Sequence, residues 1–120
     1  MALAHLRIVS VPVADQDRAK AFYVDVLGFE VRADAPFGAG QRWVEVAPPG
    51  AETSLTLVTW FPTMPPGGSS GLVLGCEDIE EDYAALAARG VAFAGPVEDA
   101  PWGRFASFAD PDGNGWVLAQ

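Results

Sequence analysis

The chain states one short plan twice. Val9, Val11 and Val13 alternate with smaller residues, and Asp15-Gln16-Asp17 then opens an amphipathic stretch that closes at Leu27-Gly28-Phe29. Sixty-three residues further on, Leu72, Leu74 and Cys76 alternate in the same way. Asp78-Ile79-Glu80 opens a second amphipathic stretch, which Arg89-Gly90-Val91 closes. Each half thus reads as strand, capped helix, glycine stop and return to strand. Such a repeat confines the fold to two copies of one small unit, with a shared concavity between them in which a ligand can sit.

A length of 120 residues is enough for one domain with a real core and no disulfide staples. Half the residues are hydrophobic and 19% are charged, a globular rather than a disordered balance. The single cysteine, Cys76, sits in an alternating apolar run and reads as a small buried apolar residue. One cysteine cannot pair within a chain, which fits a reducing cytoplasm. No apolar run approaches the roughly 20 residues that span a bilayer, and the N-terminus does not read as a signal peptide. Net charge is −9, sixteen acidic residues against seven basic ones, and the basic residues are scattered. That balance repels a phosphate backbone, so nucleic acid is not an expected partner. It suits a cationic small molecule, or solubility alone.

Residues 6–13 read as a strand, with Pro12 placing it at an edge or near an end. Asp15 caps a helix through residue 26, on which Ala19, Phe22, Tyr23, Val26 and Leu27 form one apolar face, and Gly28 stops it. Residues 34–40 read as a loop around Phe37, 42–46 and 54–60 as strands, and Pro48-Pro49-Gly50 as a turn. Residues 61–70, rich in proline, glycine and serine, form the expected linker between a first module of about 5–60 and a second of about 71–120. In the second half 71–76 is the strand, 78–89 the capped helix, 91–93 a strand and 95–103 a loop. Residues 104–108 and 116–118 are strands joined by the turn Asp110-Pro111-Asp112-Gly113-Asn114. The fold class is α+β: two βαβββ modules forming a curved mixed sheet around a central cleft, helices outside.

Residues 13–29, with Ala21-Phe22-Tyr23 and Leu27-Gly28-Phe29, resemble the first module of the vicinal oxygen chelate superfamily. That superfamily includes glyoxalase I, extradiol dioxygenases, fosfomycin resistance enzymes and bleomycin resistance proteins. The run Phe108-Ala109-Asp110-Pro111-Asp112-Gly113-Asn114 is similar to its last hairpin, and the resemblance covers essentially the whole chain. It implies a homodimer as the assembly. In the superfamily's metalloenzymes one divalent metal is held by His, Gln or Glu from the first and fourth strands of each module. Here the matching places hold Ile8, Thr56, Gly71 and Val117. Isoleucine, glycine and valine offer no lone pair, and a neutral hydroxyl alone is a poor ligand for a transition metal. The one histidine, His5, falls on the opposite face of its strand, and Glu45 is an isolated carboxylate. Asp110, Asp112 and Asn114 imitate the start of a calcium loop without its distal glutamate. No metal, cofactor or catalytic residue is therefore assigned.

What remains is an aromatic concavity. Phe37, Trp43, Trp60, Phe61, Trp102 and Phe105 sit in cleft-side strands or the loops at their ends, while Phe108 and Trp116 read as core. Arg42 and Arg104 occupy corresponding strands, where each can meet a ligand anion, stack on a planar ring or form a surface ion pair. With Ile8, Thr56 and Val117 these residues make up the expected ligand-binding set. The expected function is metal-free binding of a small aromatic or amphipathic molecule, as in the antibiotic-resistance branch. The alternatives are a metal-dependent lyase or dioxygenase using His5 and Glu45, and an orphan stress or regulatory domain whose cleft is filled by its own side chains.

Overall fold

The computed structural model describes all of residues 1–120. β1 (Ile8–Pro12) leads into α1 (Gln16–Ala21), which widens into a π-helical turn over Phe22–Val26, followed by β2 (Glu30–Phe37), β3 (Gln41–Ala47) and β4 (Ser54–Val58). The second half repeats the order with β5 (Leu72–Gly75), α2 (Ile79–Ala88), β6 (Glu98–Ala100), β7 (Gly103–Ala109) and β8 (Gly115–Ala119). The two four-stranded sheets run β1-β4-β3-β2 and β5-β8-β7-β6, one topology built twice. In each the first and last strands are parallel and the other pairs antiparallel. This is the α+β fold of two βαβββ modules that the repeat predicts.

The helix signals act as expected. Asp15 Oδ1 accepts from the backbone N–H groups of Asp17 (2.9 Å) and Arg18 (3.1 Å), and Asp78 Oδ1 accepts from Glu81 N–H at 3.2 Å. Each carboxylate thus satisfies donors the first helical turn cannot. Gly28 and Gly90 take φ of +80° and +91° just beyond the helix ends, where a side chain would be strained.

Three boundaries differ from the sequence reading. Residues 34–37, expected in a loop, extend β2, because Ala35, Pro36 and Phe37 pair with Trp43, Arg42 and Gln41. Pro36 is tolerated there because β2 is an outermost strand and its missing N–H breaks no ladder. The strand expected at 91–93 shrinks to a bridge between Phe93 and Phe108, and the outer strand of the second sheet forms instead at β6, beyond the break at Gly95-Pro96. The strand expected over 54–60 stops at Val58.

The residues facing the helices meet in one buried cluster of 14 side chains drawn from both halves. Val11, Val13, Leu55 and Leu57 from the first half join Ile79, Phe108, Trp116 and Leu118 from the second. A polar knot closes this core: Tyr23 Oη donates to Asp110 Oδ2 at 2.7 Å and accepts from Trp116 Nε1 at 3.0 Å. Asn114 Nδ2 donates to Asp110 Oδ2 and to the Pro12 carbonyl, each at 2.8 Å. Burial above all, reinforced by the Asp110 carboxylate, pushes the Tyr23 phenol well above its ordinary range. The 61–70 segment is pinned down rather than free: Gly67 N–H donates to Pro12 O, and Ser69 N–H to Asn114 Oδ1.

Candidate functional site

The pleat decides which side chains can form a site. Val9, Val11, Leu55 and Leu57 pack toward the helices, so their alternating neighbours Ile8, Ser10, Ser54 and Thr56 point to the other face. In β3, Val44 and Val46 are core, which sends Trp43 and Glu45 outward beside Thr56. Phe37 pairs next to Gln41 on the same side, and Trp60 follows β4.

Four rings gather here. Phe37 lies 5.6 Å from Trp43 edge-to-face and 5.0 Å from Trp60, Trp43 stacks on Trp60 at 6.3 Å, and Phe61 lies 6.0 Å from Trp60. Phe37 and Phe61 keep 39% and 44% of their surface exposed, so the cluster ends at solvent and not in core. Glu45 stands among the rings. Its Oε2 accepts from Ser54 Oγ at 2.6 Å and its Oε1 from Trp43 Nε1 at 3.1 Å. The Ser54 hydrogen bond is the main reason its carboxyl is held below the ordinary carboxylate value, against the opposing effect of burial. Next to it in the ladder, the buried Thr56 hydroxyl has no hydrogen-bond partner.

The equivalent face of the second sheet carries Phe105, Ser107, Val117 and Val73, since Ala106, Phe108, Trp116 and Leu118 are buried on the helix side. Trp102 stacks on Phe105 at 5.2 Å and is 63% exposed, forming a second aromatic pair apart from the first cluster. Val73 is 61% exposed beside Gly71 and Gly75.

The two arginines do not join either face. Arg42 and Arg104 fall one residue out of phase with Trp43 and Phe105 and lie on the helix sides of their sheets. Arg42 pairs with Asp34 (2.7 Å) and with Asp17 near the start of α1 (2.7 Å), and Arg104 pairs with Asp99 (3.0 Å) and with Glu80 of α2. Both are committed to surface ion pairs. Phe108 and Trp116 lie in the core as expected, stacked at 6.2 Å.

The donor set at the superfamily's metal places does not fit a divalent cation. Ile8, Gly71 and Val117 supply nothing, Thr56 supplies one neutral hydroxyl, and no three His, Cys, Asp or Glu residues converge anywhere in the chain.

Two features escaped the sequence reading. The first is Glu45 as a held carboxylate within the aromatic cluster, legible in hindsight from the spacing Trp43-Val44-Glu45, which puts acid and indole on one face. The second is a cavity of about 560 Å³ between the halves, lined by none of the expected ligand-binding residues. Its walls include helix-side residues such as Val9, Leu55, Leu74 and Trp116, whose pattern reads only as core.

A model of the Glyoxalase/Bleomycin resistance protein/Dioxygenase superfamily matches residues 2–118. The crystal structure of TnmS3, an antibiotic binding protein from Streptomyces sp. CB03234, is 55% identical and superposes with a TM-score of 0.94, covering 100% of this chain and 98% of that one. A superfamily member from Sphaerobacter thermophilus DSM 20745 is 40% identical with a TM-score of 0.91, covering 98% and 97% of the two chains. The uncharacterised protein YetH of Bacillus subtilis (strain 168) is 40% identical over 116 residues, 93% of this chain and 94% of that protein.

Proposed function

We propose that this chain, which belongs to the Glyoxalase/Bleomycin resistance protein/Dioxygenase superfamily, holds a small aromatic or amphipathic molecule, an antibiotic foremost, and acts by sequestering it without a metal. The observation that carries this reading is the cluster of Phe37, Trp43, Trp60 and Phe61 on the face turned away from the helices. Flat rings offer a planar ligand large contact area at little entropic cost, and each good aromatic pair adds about 0.5–1.5 kcal/mol beyond burial. The ionised Glu45 gives the face an acceptor for a hydroxyl or a cationic amine. The likeness to TnmS3, described as antibiotic binding, supports the same ligand class here. The metal-dependent alternative would need donors that Ile8, Gly71 and Val117 do not carry.

A homodimer belongs to this reading. In each chain the helix sides of both sheets contribute to one core. A complete site then arises when the Trp43–Trp60 face of one protomer meets the Trp102–Phe105 face of its partner. The two modules, about 5–60 and 71–120, joined through 61–70, supply one face each. The unpaired Cys76 favours a cytoplasmic location.

Tryptophan fluorescence titrated with a panel of aromatic antibiotics tests the function. Saturable quenching is expected for at least one compound, and Trp60→Ala should weaken that compound by roughly tenfold. No quenching by any compound, or about one equivalent of bound transition metal on elemental analysis of protein purified without chelator, would overturn the proposal.

A further inference from the structure

The cavity between the halves shares Val73 with the outward face of the second sheet but none of the aromatic rings of either face, and at about 560 Å³ it is far larger than a packing void. It falls in the size range of small-molecule pockets. One wall is a stripe of α2, Asp82, Ala85, Leu86 and Arg89, spaced so that all four lie on one side of the helix. The stripe is apolar in the middle and charged at both ends, acid toward the N-terminus and guanidinium at the C-terminus. Arg89 Nη1 donates to the Val26 carbonyl at 2.9 Å, which fixes the side chain while leaving its other N–H groups for a ligand. Leu72, Leu74 and Trp116 also line the cavity.

We infer that this cavity is a second small-molecule site, taking an amphipathic compound whose apolar body spans the about 10 Å between Asp82 and Arg89 and whose polar groups lie at its ends. The apolar middle of the stripe accepts the body, and a terminal anion on the ligand meets Arg89.

Cys76, the chain's single cysteine, lines the cavity and reports on its occupancy. Thiol labelling of the wild-type protein would be timed with and without anilinonaphthalene sulfonate, an aromatic body with an anionic end. The probe should slow Cys76 labelling saturably, by tenfold or more. Protein whose Cys76 already carries a phenylmaleimide group should lose probe binding, a result that needs no variant to fold. Arg89→Met should weaken the probe about fivefold, as loss of a charge-assisted contact requires. An unchanged labelling rate at saturating probe would overturn the inference, and so would full probe binding to the blocked protein. Shielding of Cys76 that grows with protein concentration in the absence of probe would also overturn it, by giving the cavity to a second copy of the chain.

Discussion

Tyr23 differs from its apolar neighbours in the core, because its hydroxyl is both a donor to Asp110 and an acceptor from Trp116. Tyr23→Phe leaves a buried carboxylate oxygen and a buried indole N–H short of partners, which should lower stability by about 1–3 kcal/mol in chemical denaturation. The sign of the pH effect follows from the raised phenol value. Below the ordinary tyrosine value of 10.0 the stabilisation is complete. Above it the unfolded chain ionises while the folded one resists, so stability falls with rising pH. Tyr23→Phe should flatten that alkaline limb of a stability-against-pH curve, and an unchanged limb would assign it to other groups. From sequence Tyr23 is visible only as one member of an apolar helix face, since its partners lie 87 and 93 residues away. Arg42 teaches the converse lesson. Its place in a cleft strand is legible, yet a slip of one residue, the difference between the two sides of a pleat, moves it from ligand to ion pair.

At the scale of elements, the glycines after the helices and the capping aspartates could be read directly, because those signals are local. Strand ends could not, because pairing with a distant neighbour decides them. β2 outlasts its loop-like composition through its ladder with β3, and 91–93 fails as a strand because β7 accepts only a single bridge there. The 61–70 segment looks like a flexible tether by composition, but Gly67 is wedged against the last hairpin. A Cβ on Gly67 would stand 2.1 Å from the Asp112 carbonyl oxygen, and its φ is +78°. Gly71 has a similar φ of +80° with open space around it. Gly67→Ala should therefore cost more than Gly71→Ala, which pays only the left-handed strain of about 1–2 kcal/mol. Melting temperatures of the two variants check the order, and equal losses would mean that the hairpin simply moves aside.

For the molecule as a whole, the repeat in the sequence predicts the architecture, and the two sheets share one strand order. The way the copies are joined was not legible, because it rests on contacts between the end of β1 and the hairpin before β8. Pro12, unable to donate, offers its carbonyl to both Gly67 and Asn114. Heating should accordingly give one transition, with circular dichroism and tryptophan emission sharing a midpoint, since Trp43 and Trp60 report the first half and Trp102 and Trp116 the second. Two separated midpoints would show that the halves hold themselves up. That single oxygen, serving two masters, turns a tandem array into an interdependent pair: severing the chain near residue 65 should yield fragments that dissolve alone and recover order only when mixed.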